Sequence, residues 1–330
     1  MICGMDAIQN QGMRKTLIIL LSLALVPVSA QQNGAGSQYM IGTLRGDGTL
    51  VPFAQYSNGG WWNPWPKPRE VAGSIYAESP ENTEVVNHSL ADLLEPWFAT
   101  CLDLPNPWFF WSPEGTYTEL RASKVVKVNA HSGNNWGLLT DLPKRTSDDP
   151  LHDIIAVAIT PKRKIEPFIK IDNTSAQEKE IRSFVKQIFD VEEKAEIERT
   201  RVEKPPAVAP VEMLLTALYR SSHVVDGKHI YYFEAEKQYP KRRDPGCYDV
   251  SLFQGWISAD EKGGLGLMDS IFGFTDCDRK GPSTMIPLGL MTLQEQTFLF
   301  VREHGWESES YIIIELNKSG LHRLLQTDGA

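Results

Sequence analysis

The chain is predicted to be mainly β, built from antiparallel sheets with one long amphipathic helix at about 175–200. Two observations carry this prediction. Short runs of β-branched and aromatic residues recur with turn chemistry between them, and only one stretch shows the 3.6-residue apolar period of a helix. Strands that follow one another this closely, with few helices between, indicate antiparallel pairing rather than βαβ units. On sequence alone a propeller-like, barrel or sandwich arrangement stays open.

Tyr39 to Leu44 and Thr49 to Gln55 flank Gly46-Asp47-Gly48, a hairpin signal. Val125 to Val128, Trp136 to Thr140, Ile154 to Ile159 and Phe168 to Ile171 are further strand candidates. Met213 to Val225 and His229 to Tyr239 are joined by Asp226-Gly227, a pair suited to a type I′ turn. Tyr248 to Ile257, Leu265 to Thr275, Met285 to Leu293, Phe298 to Arg302 and Tyr311 to Leu316 complete the series.

The helix is read from Ile181, Phe184, Val185, Ile188 and Phe189, spaced to form one stripe. Ser175-Ala176-Gln177-Glu178 before it is a capping-box pattern. The first half is expected to pack on a sheet. The second half, where Glu192 to Arg199 mixes both charge signs, is expected to be solvated. Pro205, Pro206 and Pro210 end it, which places a Pro-rich crossing at 203–210. It separates an aromatic-rich β region at 39–202 from an antiparallel region at 211–330, within one domain or between two.

The N-terminus reads as an export signal over 1–30. Met13-Arg14-Lys15 is the basic start, Leu17 to Val26 the apolar segment and Val28-Ser29-Ala30 the cleavage site. Residues 1–12 read as a start-site extension and 31–38 as a mobile tail. Cleavage would remove Asp6, Arg14 and Lys15, taking the net charge from −9 to −10. The apolar segment is shorter than the roughly 20 residues a bilayer crossing needs. A secreted or periplasmic protein without stable membrane insertion is therefore expected. The acidic balance argues against nucleic acid as a partner, since the phosphate backbone demands a basic face.

Of the four cysteines, Cys3 falls within the signal. Cys247 and Cys277 stand at facing ends of two strand candidates and are predicted to form a disulfide, with Cys101 a buried thiol in an apolar setting. No cysteine or histidine spacing suggests a metal, and no cofactor is expected. Asn87, Asn173 and Asn317 match the N-glycosylation pattern at about chance frequency.

The chain carries none of the common nucleotide-binding, serine-hydrolase or zinc-protease signatures. Its most unusual feature is aromatic. Trp61, Trp62, Trp65, Trp97, Trp108 and Trp111 fall within 61–111, and Trp61 to Pro68 is stiffened by proline. Trp61, Trp62 and Trp65, with Trp136 in the polar stretch His131 to Gly137, are the binding candidates, because flat rings beside amides suit sugars or extended peptides. Rings packed into the core account for the same residues.

Catalytic candidates are His131, the pair Glu234 and Glu236, and the pair Asp276 and Asp278. Glu234 and Glu236 are two apart on a strand and share a face with Tyr232 and Gln238, as an acid/base pair would. A solvated strand face opposite Tyr231, Phe233 and Ala235 explains them equally. Asp276 and Asp278 are neutralised in sequence by Arg279 and Lys280, and His304 falls at a turn. The leading expectation is an exported, non-enzymatic protein that binds a glycan, peptide or envelope partner through its aromatic surface. A secreted hydrolase using strand carboxylates and a structural or accessory protein are the alternatives.

Overall fold

A computed structural model describes residues 39–64, 107–111, 117–130, 133–142, 155–158, 164–171, 176–200, 211–240, 248–275, 283–305 and 309–329. They form mostly antiparallel β-sheet with a single helix. The expected signal segment 1–30, the expected tail 31–38, the expected crossing 203–210, Trp65, Cys101, His131, Cys247, Asp276, Cys277 and Asp278 lie outside the described residues.

Sheet A gathers β1 (Tyr39–Leu44), β2 (Thr49–Ser57), β3 (Gly60–Trp62), β4 (Trp108–Trp111), β5 (Tyr117–Leu120), β6 (Ala122–Ala130), β7 (Gly133–Thr140) and β8 (Ile155–Ala158). Their order is β5-β4-β8-β1-β2-β7-β6, with β3 also paired to β2. After β9 (Phe168–Lys170) comes the helix α1 (Ala176–Thr200), followed by β10 (Leu214–Ser221), β11 (Lys228–Pro240), β12 (Tyr248–Asp260) and β13 (Leu265–Thr275). Sheet C runs β13-β12-β11-β10-β9. Sheet B is a simple meander of β14 (Thr284–Leu293), β15 (Gln296–His304), β16 (Glu309–Asn317) and β17 (Gly320–Gly329).

The turns follow from the residues available. Asp226 and Gly227 both have positive φ, at 49° and 75°, and Val225 and Lys228 exchange backbone hydrogen bonds across them. Asn58-Gly59 repeats this conformation between β2 and β3. The β14–β15 turn places Gln294 and Glu295 at positive φ, a conformation that favours glycine or asparagine.

Three apolar layers stack these elements. Sheet A packs on sheet B through Ile41, Phe53, Tyr56 and Trp61 against Phe298 and Phe300. The opposite face of sheet B, with Leu299, Val301, Ile312 and Ile314, meets Ile230, Tyr232 and Trp256 of sheet C. The far face of sheet C, including Tyr231, Phe233 and Phe253, is covered by Ile181, Val185 and Phe189 of α1. Sheet B is thus buried on both sides. This is why β15 and β16 read as the continuous apolar runs Phe298 to Val301 and Tyr311 to Ile314 rather than alternating with polar residues.

Candidate functional site

The described part of the aromatic third is chiefly core. Trp108 to Trp111 is the strand β4, and all four rings are buried, Phe109 and Trp111 on the face toward sheet B. Trp108 closes over Gly42, where an added Cβ would come within 3.2 Å of its ring and 3.0 Å of the Val51 carbonyl. Trp61, on the inward face of β3, meets Phe298 and Phe300 edge-on at 5.3 and 5.6 Å between ring centroids. Its neighbour Trp62 points the other way, as strand alternation requires, and is 58% exposed against 9% for Trp61.

Trp62 is nevertheless held. Its indole Nε1–H donates to the Ser57 carbonyl at 3.2 Å, and the ring lies over Gly60, whose Cβ position is 3.5–3.6 Å from indole atoms. One face of the ring is therefore set against the β2–β3 turn and the other faces solvent. Gln55 is its cross-strand partner, half-buried, and the exposed Asn58 sits at the turn. Trp136 lies on β7 opposite Lys127 of β6.

The carboxylate pair occupies a packed face, which corrects the expectation of a solvated one. Tyr232, Glu234, Glu236 and Gln238 lie on the side of β11 that turns toward sheet B, and Glu236 is 4% exposed. The Tyr232 hydroxyl lies 2.7 Å from Glu234 Oε1 and 2.8 Å from Gln254 Oε1, and it accepts the Met285 backbone N–H at 3.0 Å. Burial, reinforced by Glu234, drives the phenol proton affinity well above its ordinary value, so Tyr232 is neutral. Gln238 Nε2 donates to Glu236 Oε1 at 2.5 Å. Both glutamates thus join bonds that tie β11 internally and to β14, an arrangement suited to holding strands together.

Two charged groups were not anticipated. On the helix side of sheet C, Lys237 Nζ donates to Glu193 and Asp190 of α1, each at 2.7 Å, and lies 4.7 Å from the Phe189 ring centroid. Tyr239 and Ser251 also donate to Glu193. Burial opposes the Glu193 charge, but the bonds from Lys237, Tyr239 and Ser251 outweigh it and hold the carboxyl below its ordinary range. Burial likewise opposes the Lys237 charge, and its two carboxylates outweigh that and raise it. Glu193 therefore departs from the solvated second half expected of α1.

The other group lies where sheets A and B meet. Arg45, in the β1–β2 turn, reaches Glu309 Oε1 at 3.1 Å, and the Tyr311 hydroxyl donates to the same oxygen. Arg302 stands 4.0 Å from the other Glu309 oxygen. A usable signal existed for both groups. Glu193 follows Ile181, Val185 and Phe189 at the same spacing of four, and Lys237 and Arg302 fall in phase with the core residues of their strands.

Among the described residues no three His, Cys, Asp or Glu side chains are grouped to hold a metal ion, and no helix is long and apolar enough to cross a membrane. Comparison with protein-family models, curated proteins and solved structures finds no match to this chain.

Proposed function

We propose that the chain is an exported, non-enzymatic binding protein that takes a glycan on the surface around Trp62. The single observation that carries this reading is the posture of that ring. It is largely exposed, yet one face is fixed on Gly60 and its N–H is committed to Ser57. A flat apolar face ordered before binding loses little freedom when a sugar ring stacks on it, and the amides of Gln55 and Asn58 supply polar contacts at its margin. Export rests on the signal-like segment at 13–30.

The hydrolase alternative gains nothing from Glu234 and Glu236. They lie on a face packed toward sheet B, and each has a hydrogen-bond partner there. A glycan array probed with the purified protein, followed by titration of any retained sugar against Trp62→Ala, tests the proposal. Retention by the parent and at least tenfold weakening in the variant support it. Retention of peptides alone, or equal glycan affinity in the variant, refutes it.

A further inference from the structure

Independently of the aromatic surface, we propose that Arg45 and Arg302 form a site for a small oxyanion, a carboxylate or phosphate, at the seam between sheets A and B. The argument begins with charge. Arg45, Arg302, Glu309 and Tyr311 share the edge of the inner layer, on the β1–β2 turn, β15 and β16. Two guanidiniums face one carboxylate, and Tyr311 is kept neutral because burial and Glu309 raise its proton affinity. Asp47 is exposed in the same turn, and its Oδ1 already receives the N–H and hydroxyl of Thr49. Among the described residues the buried group therefore carries one positive charge in excess, with the exposed Asp47 acting on Arg45 from the turn.

The excess sits on Arg302. Its side chain is only 7% exposed, and its approach to Glu309 is 4.0 Å, beyond hydrogen-bond reach. Its Nε–H is buried with no partner. Arg45, by contrast, is bonded to Glu309 at 3.1 Å and retains 20% exposure. A buried guanidinium N–H without a hydrogen-bond partner is costly, and a guanidinium edge that includes Nε presents parallel donors matched to an oxyanion. The partly exposed Arg45, near enough to act on Arg302, supplies a second positive charge. Glu309 holds Arg45 in place and limits the site to weakly held, exchangeable ions.

The test is calorimetric titration of the purified full chain with phosphate and, separately, acetate, in a chloride buffer of constant ionic strength and pH. One saturable site is expected, and the two anions distinguish phosphate from carboxylate chemistry. Arg302→Gln should abolish saturable binding. Glu309→Gln removes the repelling charge and should tighten binding about tenfold. Absence of a saturable site in the parent overturns the proposal, as does a site left unchanged by Glu309→Gln. If Arg302→Gln fails to fold, Arg45→Lys replaces it. A Kd unchanged in that variant overturns the assignment, and weakening by about tenfold or more upholds it.

Discussion

Lys237 of β11 and Glu193 of α1, 44 residues apart, meet at 2.7 Å beneath the helix, a buried charged contact that helps pin α1 to sheet C. Both side chains are under 10% exposed. Removing one partner leaves the other charged in an apolar layer, so Lys237→Met should lower unfolding stability by about 3–5 kcal/mol. Replacing both with apolar residues of similar volume should recover most of that loss. Urea unfolding of the single and double variants measures the difference.

The same pair sets a pH dependence at each extreme. Glu193 is held below its ordinary value of 4.5, so its contribution is whole above that pH and is lost as pH falls through the lower folded value. Lys237 is raised above 10.5, so its share is whole below that pH and is lost as pH rises through the higher folded value. The stability gap between the parent and Glu193→Gln should therefore narrow on acidification below about pH 4.5 and stay level between pH 5 and 9. Unfolding midpoints across that range would show it.

Adjacent tryptophans should behave in opposite ways. Trp61→Ala empties a site lined by Tyr56, Phe298 and Phe300 and should cost about 3–5 kcal/mol. Trp62→Ala should change stability by about 0.5 kcal/mol while removing glycan retention. Thermal unfolding beside the binding titration separates the two roles.

Gly255 has a more local constraint. An added Cβ would lie 2.4 Å from the Asp269 carbonyl oxygen, a backbone atom of the neighbouring strand. Gly255→Ala must push β13 away from β12 and should cost about 1–3 kcal/mol, with faster amide exchange along β13 as the direct readout.

β12 and β13 pair antiparallel with Val250 opposite Thr275, and these strand ends lead in sequence toward Cys247 and Cys277. A disulfide between these cysteines would close a loop of about 30 residues and add roughly 3–4 kcal/mol. Non-reducing peptide mapping of the purified protein should recover the linked peptides. Recovery of both as free thiols would remove the bridge.

Much of the fold was legible because apolar runs and turn residues act locally. Asp226-Gly227 announced its hairpin, and the Ile181 to Phe189 stripe announced the buried side of α1. The layering was not legible, because β15 and β16 are apolar on both faces and carry no mark of which sheet each face meets. β4 carries no strand signature in sequence, because Trp108 to Trp111 is an unbroken aromatic run without alternation. β17 carries none either, because Leu321 to Asp328 mixes polar and apolar residues without strict alternation. The β14–β15 turn gave no warning, since Gln294 and Glu295 are unusual at positive φ. At the site, the exposure of Trp62 beside the burial of Trp61 depends on which face of β3 meets sheet B, and that contact spans more than 200 residues.

The middle sheet of the stack, residues 284–329, follows both of its neighbours in the sequence. Synthesis therefore makes the faces of sheets A and C that enclose it first, and they stay adhesive and uncovered until these two hairpins arrive. The surfaces at greatest risk of misassociation are those two waiting faces, and any holding factor would act on them until β14–β17 have been made.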